Sequence, residues 1–160
     1  RSTRDLEQKY AGNPNDLQAG WDLAVAYARQ QRLDAMDAVV SSLVTRPEFT
    51  EQLFLQLAQV YAQLKRLDRV TDVLSVMAQR FPSNNMAWYN LAAVYSARGD
   101  CASAAVSLQR ALALDTPERV VYNTALRDER LAGCRNAPDF QKLLSQPGGL
   151  SVPGGFTVTH

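Results

Sequence analysis

The chain has 160 residues, 46% of them hydrophobic and 21% charged, and seventeen basic against sixteen acidic side chains leave a net charge near +1. That length and balance describe a soluble globular domain with room for a core. They supply no overall field to draw the chain onto nucleic acid or an anionic membrane. No run approaches the roughly 18 consecutive apolar residues of a membrane span, and the N-terminus lacks a charged-then-apolar signal pattern, so direct membrane insertion is not expected. The chain opens on Arg1, which reads as a processed product or a piece cut from something longer.

In chain order the predicted elements fall on one period. Leu23-Ala24, Leu57-Ala58 and Leu91-Ala92 recur every 34 residues, as do Tyr27, Tyr61 and Tyr95, a repeat signature. The first segment, TRDLEQKYAGNP, ends on Pro14 in the register of Pro82 and reads as the second helix of a half repeat over 1–14. Full repeats follow over 17–49, 51–84 and 85–117. Their first helices, LAVAY, LAQVY and LAAVY, set Leu, Ala and Tyr at i, i+1 and i+4 on one helical face. Their second helices carry the stripes Met36, Val40, Leu43, then Val70, Leu74, Met77, then Ala104, Leu108, Ala111. Short polar turns join them, and Gly99 in the third suits a helix end that needs positive φ.

Residues 118–146 read as a degenerate capping repeat. ERVVYNTALRDERLAG occupies the first-helix slot with Tyr122 and Gly133 in register, but Glu129 replaces the packing Tyr. Pro138 falls where the second helix should be running, so PDFQKLLSQ is expected as a short final helix begun by that proline. The Gly/Pro-rich tail, 147–160, states PGG twice among alternating apolar residues. It is expected to form a short extended or hairpin arm packed as a lid on the last repeat, with a disordered tail or insertion into the groove or a neighbouring molecule as the alternatives.

This pattern resembles the tetratricopeptide-repeat family. The third repeat matches best, through Trp88, Leu91, Ala92, Tyr95, Gly99, Ala104, Leu108, Ala111 and, one residue late, Pro117. The second, with Phe54, Leu57, Ala58, Tyr61, Leu74 and Pro82, departs at Val70, and in the first Trp21 falls one place late and Pro47 one place early. The resemblance implies an all-α, right-handed helical solenoid over 1–146, about three full repeats with partial repeats at both ends. It also implies a concave wall, built from the first helices, that binds peptides or partner helices. The register places Trp21, Val25, Arg29, Gln52, Leu55, Gln56, Gln59, Gln63, Tyr89, Asn90, Asn123, Arg127 and Arg130 on that wall. Large side chains and amides suit an extended segment, and the arginines suit a carboxylate. The Lys and Asn clamp by which some family members hold chaperone C-termini is missing: Trp21, Val25, Gln56, Met86 and Asn90 stand at its positions.

Catalysis finds no machinery, because the single histidine is the last residue, His160, and neither a nucleophile-histidine pair nor a metal set can be assembled around it. No enzyme activity, cofactor or metal is expected. Cys101 and Cys134 lie 33 residues apart at turns of adjacent repeats. Neighbouring helices sit about 8–10 Å apart, so a bridge requires the degenerate fourth turn to fold inward; otherwise both are free thiols, one buried. With the bridge, the domain works outside the cytosol. The function expected is a non-catalytic protein-interaction module for a protein or peptide partner. Two alternatives stand beside it: the C-terminal accessory domain of a larger enzyme, for instance a membrane-bound bacterial one, or a self-assembly unit forming homo-oligomers.

Overall fold

The computed structural model describes residues 2–145; the expected tail arm over 147–160 lies outside the described residues. Among the described residues nine α-helices follow one another: α1 (Thr3–Gly12), α2 (Leu17–Arg29), α3 (Leu33–Leu43), α4 (Glu51–Gln63), α5 (Leu67–Arg80), α6 (Asn85–Ala97), α7 (Cys101–Ala113), α8 (Val120–Ala125) and α9 (Pro138–Leu144). A 3-10 turn over Glu129–Leu131 lies between the last two, and no strand occurs among the described residues. The chain forms two compact units, the first ending at Val73 and the second beginning at Leu74.

The period shows in the helix ends. Asp16, Thr50 and Asn84, 34 residues apart, each accept a bond from a first-turn backbone N–H, that of Ala19, Leu53 and Met86 respectively, and so start α2, α4 and α6. At the other end of these helices the carbonyls of Tyr27, Tyr61 and Tyr95 accept from the N–H of Arg32, Arg66 and Asp100, each at 2.9 Å. The residue between has left-handed backbone in all three turns: Gln31 at φ 57°, Lys65 at 60° and Gly99 at 80°. These are Schellman closures. Only the third carries the residue for which that φ is free of steric cost.

In the first unit α2 packs on both α1 and α3. Leu23, Ala24 and Tyr27 are buried on α2, Met36, Val40 and Leu43 on α3, and Leu57, Ala58 and Tyr61 on α4, so the small residue beside each Leu faces the core. Gly20 stands where the second and third repeats have Phe54 and Trp88. A Cβ there would lie 2.6 Å from Leu43 Cδ2 and 2.8 Å from Tyr10 Cε1, so the tyrosine of α1 fills the aromatic slot in place of a side chain from α2. Carboxylates on second helices hold the tyrosines: Tyr27 donates to Glu7, and Tyr61 donates to Asp37 at 2.6 Å. Arg66 and Arg69 close on the same Asp37, both at 3.2 Å.

In the second unit α6 packs along α7, α7 also carries α9, and the 3-10 turn lies on α6. Ala92, Ala104, Leu108, Ala111, Ala125, Leu131 and Phe140 form the centre of one core. The fourth repeat departs further from its expected form than the sequence indicates. The helix begins where Asp115 accepts from the N–H groups of Val121 and Tyr122, both at 2.9 Å, and ends after six residues. The chain then turns inward through the 3-10 segment, and Gly133, though in register with Gly99, does not have positive φ. Cys134 is thereby buried against the core rather than standing at a turn between two helices, and it is bridged to Cys101 with Cα atoms 5.3 Å apart. The helix-to-helix spacing that favours two free thiols does not apply, because no second long helix intervenes.

Candidate functional site

Seven of the wall residues belong to α2 and α4 of the first unit besides Leu55. On α2 Trp21 and Val25 are half-buried and Arg29 is exposed. The Trp21 ring lies 6.2 Å from that of Phe49, which meets Phe54 edge-on at 4.8 Å. Trp21 thus helps to anchor the connection between α3 and α4, and only part of its surface is open. On α4 Gln52, Gln56, Gln59 and Gln63 are all exposed, at spacings of four, three and four residues, which align them in one stripe. Half-buried Leu55 stands beside it. None of the four amides hydrogen-bonds another described residue.

The remaining wall residues belong to the second unit, where three of them join around Asp128, a residue to which the repeat register assigns no role. Tyr89 is buried and its hydroxyl donates to Asp128 at 2.8 Å. Arg130 donates to the same carboxylate at 2.9 Å, lies over the Tyr89 ring at 5.7 Å, and reaches the side-chain oxygen of Asn90 at 3.2 Å. The carboxylate expected to meet this arginine from a ligand is therefore supplied from within the chain. Burial alone would raise Asp128. The bonds from the Arg130 side chain and backbone and from Tyr89 outweigh it and hold the carboxyl at about 2. Tyr89 moves the other way, pushed up by burial and then by its bond to Asp128. Asn123 and Arg127 are exposed and stand apart from this group, the amide of Asn123 donating to the Glu118 carbonyl at 3.4 Å. The signal for Asp128 was its place between arginines in RDER, but a mixed-charge run reads equally as a solvated surface.

Chemically, the α4 stripe offers donors and acceptors for a polar backbone, whereas the Asp128 group is internally satisfied. Among the described residues no cluster of three or more His, Cys, Asp or Glu side chains could hold a metal ion, and no helix is long and apolar enough to cross a membrane.

Helix-turn-helix units on a 34-residue period, closed by the same turn each time, define an all-α fold of the tetratricopeptide type. No family model matches the sequence, and no curated protein does. Solved structures do. A crystal structure of MamA superposes with a TM-score of 0.51 at 15% identity, covering 88% of this chain and 86% of that one. A further MamA structure gives 0.49 at 22% identity over 94% and 83%. A thermophilic TPR protein of Thermus thermophilus, TTC0263, gives 0.45 at 23% identity over 91% and 81%. At these identities the likeness speaks to fold alone.

Proposed function

We propose that the chain is a non-catalytic protein-interaction module, and that the α4 face, with Val25 and Arg29 of α2, receives an extended peptide or partner segment. The observation that carries the reading is the row Gln52, Gln56, Gln59 and Gln63: four exposed amides in line, without a hydrogen bond to any described residue. An extended peptide presents N–H and C=O groups alternately, and a primary amide answers both. Each such bond is worth about 1 kcal/mol net, so several in line set register while Leu55 and Val25 supply apolar contact.

Placed inside a longer enzyme, the same face would serve as an accessory domain. The self-assembly reading gains less support, since Arg4, Asp5, Gln8 and Lys9 on the outer side of α1 are exposed and polar. The Cys101–Cys134 bridge supports action in an oxidising compartment.

Selection of a displayed random-peptide library on the chain tests the reading. Enriched peptides should bind Gln56→Ala/Gln59→Ala roughly tenfold more weakly, the loss of about 1.4 kcal/mol, with helicity unchanged. Undiminished binding to that variant would move the site elsewhere.

A further inference from the structure

A second surface lies wholly within the unit that begins at Leu74. There α5, α6 and α7 enclose an open cleft of about 410 Å3, lined among others by Ala78, Trp88, Leu91, Ser103, Val106 and Ser107. The space exists because the residues α5 and α7 turn toward it are mostly small. Val106 on its border is 58% exposed, more than any other large hydrophobic among the described residues. A concave floor that includes Trp88 and Leu91, with an exposed apolar side chain on its rim, combines the elements a binding site uses.

The charges around it have an order. Asp100, Ser103, Val106 or Ser107, and Arg110 follow at i, i+3, i+6 or i+7 and i+10 along α7, one stripe bordering the cleft. Asp100 caps the helix at one end through the Ser103 N–H at 3.1 Å. At the other end the Arg110 guanidinium lies 5.0 Å over the Trp88 ring, and no described carboxylate pairs with it. Ten residues of helix separate the opposite charges by about 15 Å. The walls are helices whose backbone groups are already bonded, so no sheet edge is offered to an extended segment, whereas a helical guest brings its own backbone bonds satisfied.

We propose that this cleft docks an amphipathic helix of a partner protein. Two apolar side chains one turn apart enter beside Val106 and Leu91, a carboxylate meets Arg110 above Trp88, and a cation about 15 Å along the guest meets Asp100. The site is separate from the glutamine face, and neither reading depends on the other.

The probes are helix-stapled 18-residue peptides with Leu at i and i+4, one set carrying Glu and Lys ten residues apart, the other Lys at both places. Binding to the full chain is followed by fluorescence anisotropy. The Glu/Lys set should bind roughly tenfold or more tightly than the Lys/Lys set. Arg110→Glu should reverse that preference, and Ala102→Trp, an exposed position in the cleft wall, should abolish binding of both. Gln56→Ala/Gln59→Ala should change neither. Absence of binding, or indifference to Arg110→Glu, overturns the proposal. So does a dimer abolished by Val106→Asp, which would make a second copy the occupant, or a more than tenfold gain on removing residues 146–160, which would make the chain its own occupant.

Discussion

The two units close the same turn by different means. After α2 and α4 a non-glycine residue, Gln31 or Lys65, takes the left-handed conformation. Beside each such turn a tyrosine hydroxyl bonds a carboxylate of the preceding second helix, with Arg32 or Arg66 near the same carboxylate. After α6 the left-handed residue is Gly99, Asp100 stands in the register of those arginines, and Thr71 stands in the register of Asp37. The Tyr95 hydroxyl makes no hydrogen bond to a described residue. A disulfide one residue further on ties α7 to the capping segment. A shared backbone closure therefore does not imply shared side-chain chemistry: the first unit adds a charged staple to a strained turn, and the second has an unstrained turn and a covalent tie.

The largest effect should come from cutting that tie. Replacing Cys101 and Cys134 by Ser opens a loop of 33 residues and should lower stability by about 3–4 kcal/mol. Urea titration reads the total, and hydrogen exchange should show the loss concentrated in the 3-10 turn and α9. Next is Asp37→Asn, which weakens bonds to Tyr61, Arg66 and Arg69 in a largely buried setting and should cost about 2–3 kcal/mol. Tyr95→Phe should cost about 0.5 kcal/mol or less. Equal losses in the two variants would erase the contrast between the units.

Acid should weaken the second unit through Asp128. Its folded value, about 2, lies below the unfolded value of about 3.9. Its contribution is therefore fully present above pH ~4 and is lost as pH falls from ~4 through ~2. Allowing for partial exposure, that contribution is about 1–2 kcal/mol. The stability gap between wild type and Asp128→Asn, measured by urea unfolding, should be full at pH 7 and shrink towards zero near pH 2. The smallest effect sharpens the comparison in the other direction. Gln31→Gly and Lys65→Gly should each stabilise by about 0.5–1 kcal/mol, since φ near 60° carries a Cβ penalty. Gly99→Ala should destabilise by a similar amount, and thermal melts distinguish the signs.

Much of this was legible in advance. The Leu-Ala-Tyr spacing assigned the core faces of α2, α4 and α6, and Gly99 marked one left-handed turn. Gln31 and Lys65 were not legible, because neither residue favours that conformation and the closing bonds of the turn impose it. Tyr89 looked like groove wall by register, yet it is buried with its hydroxyl on Asp128, a partner 39 residues away. The α4 amides, assigned to the first-helix wall by the family register, are exposed. The cleft beside Val106 was not legible, since it comes from small residues on two helices far apart in sequence.

By itself the sequence determined the all-helical repeat, its period and the faces that bury, because apolar spacing along a helix is a local property set by 3.6 residues per turn. Only the tertiary structure decided that the fourth repeat turns inward after six helical residues, that Cys101 and Cys134 meet, and that Arg130 is satisfied by its own chain. Those outcomes rest on pairings between distant segments, whose strength depends on burial and exact approach rather than on the order of residues.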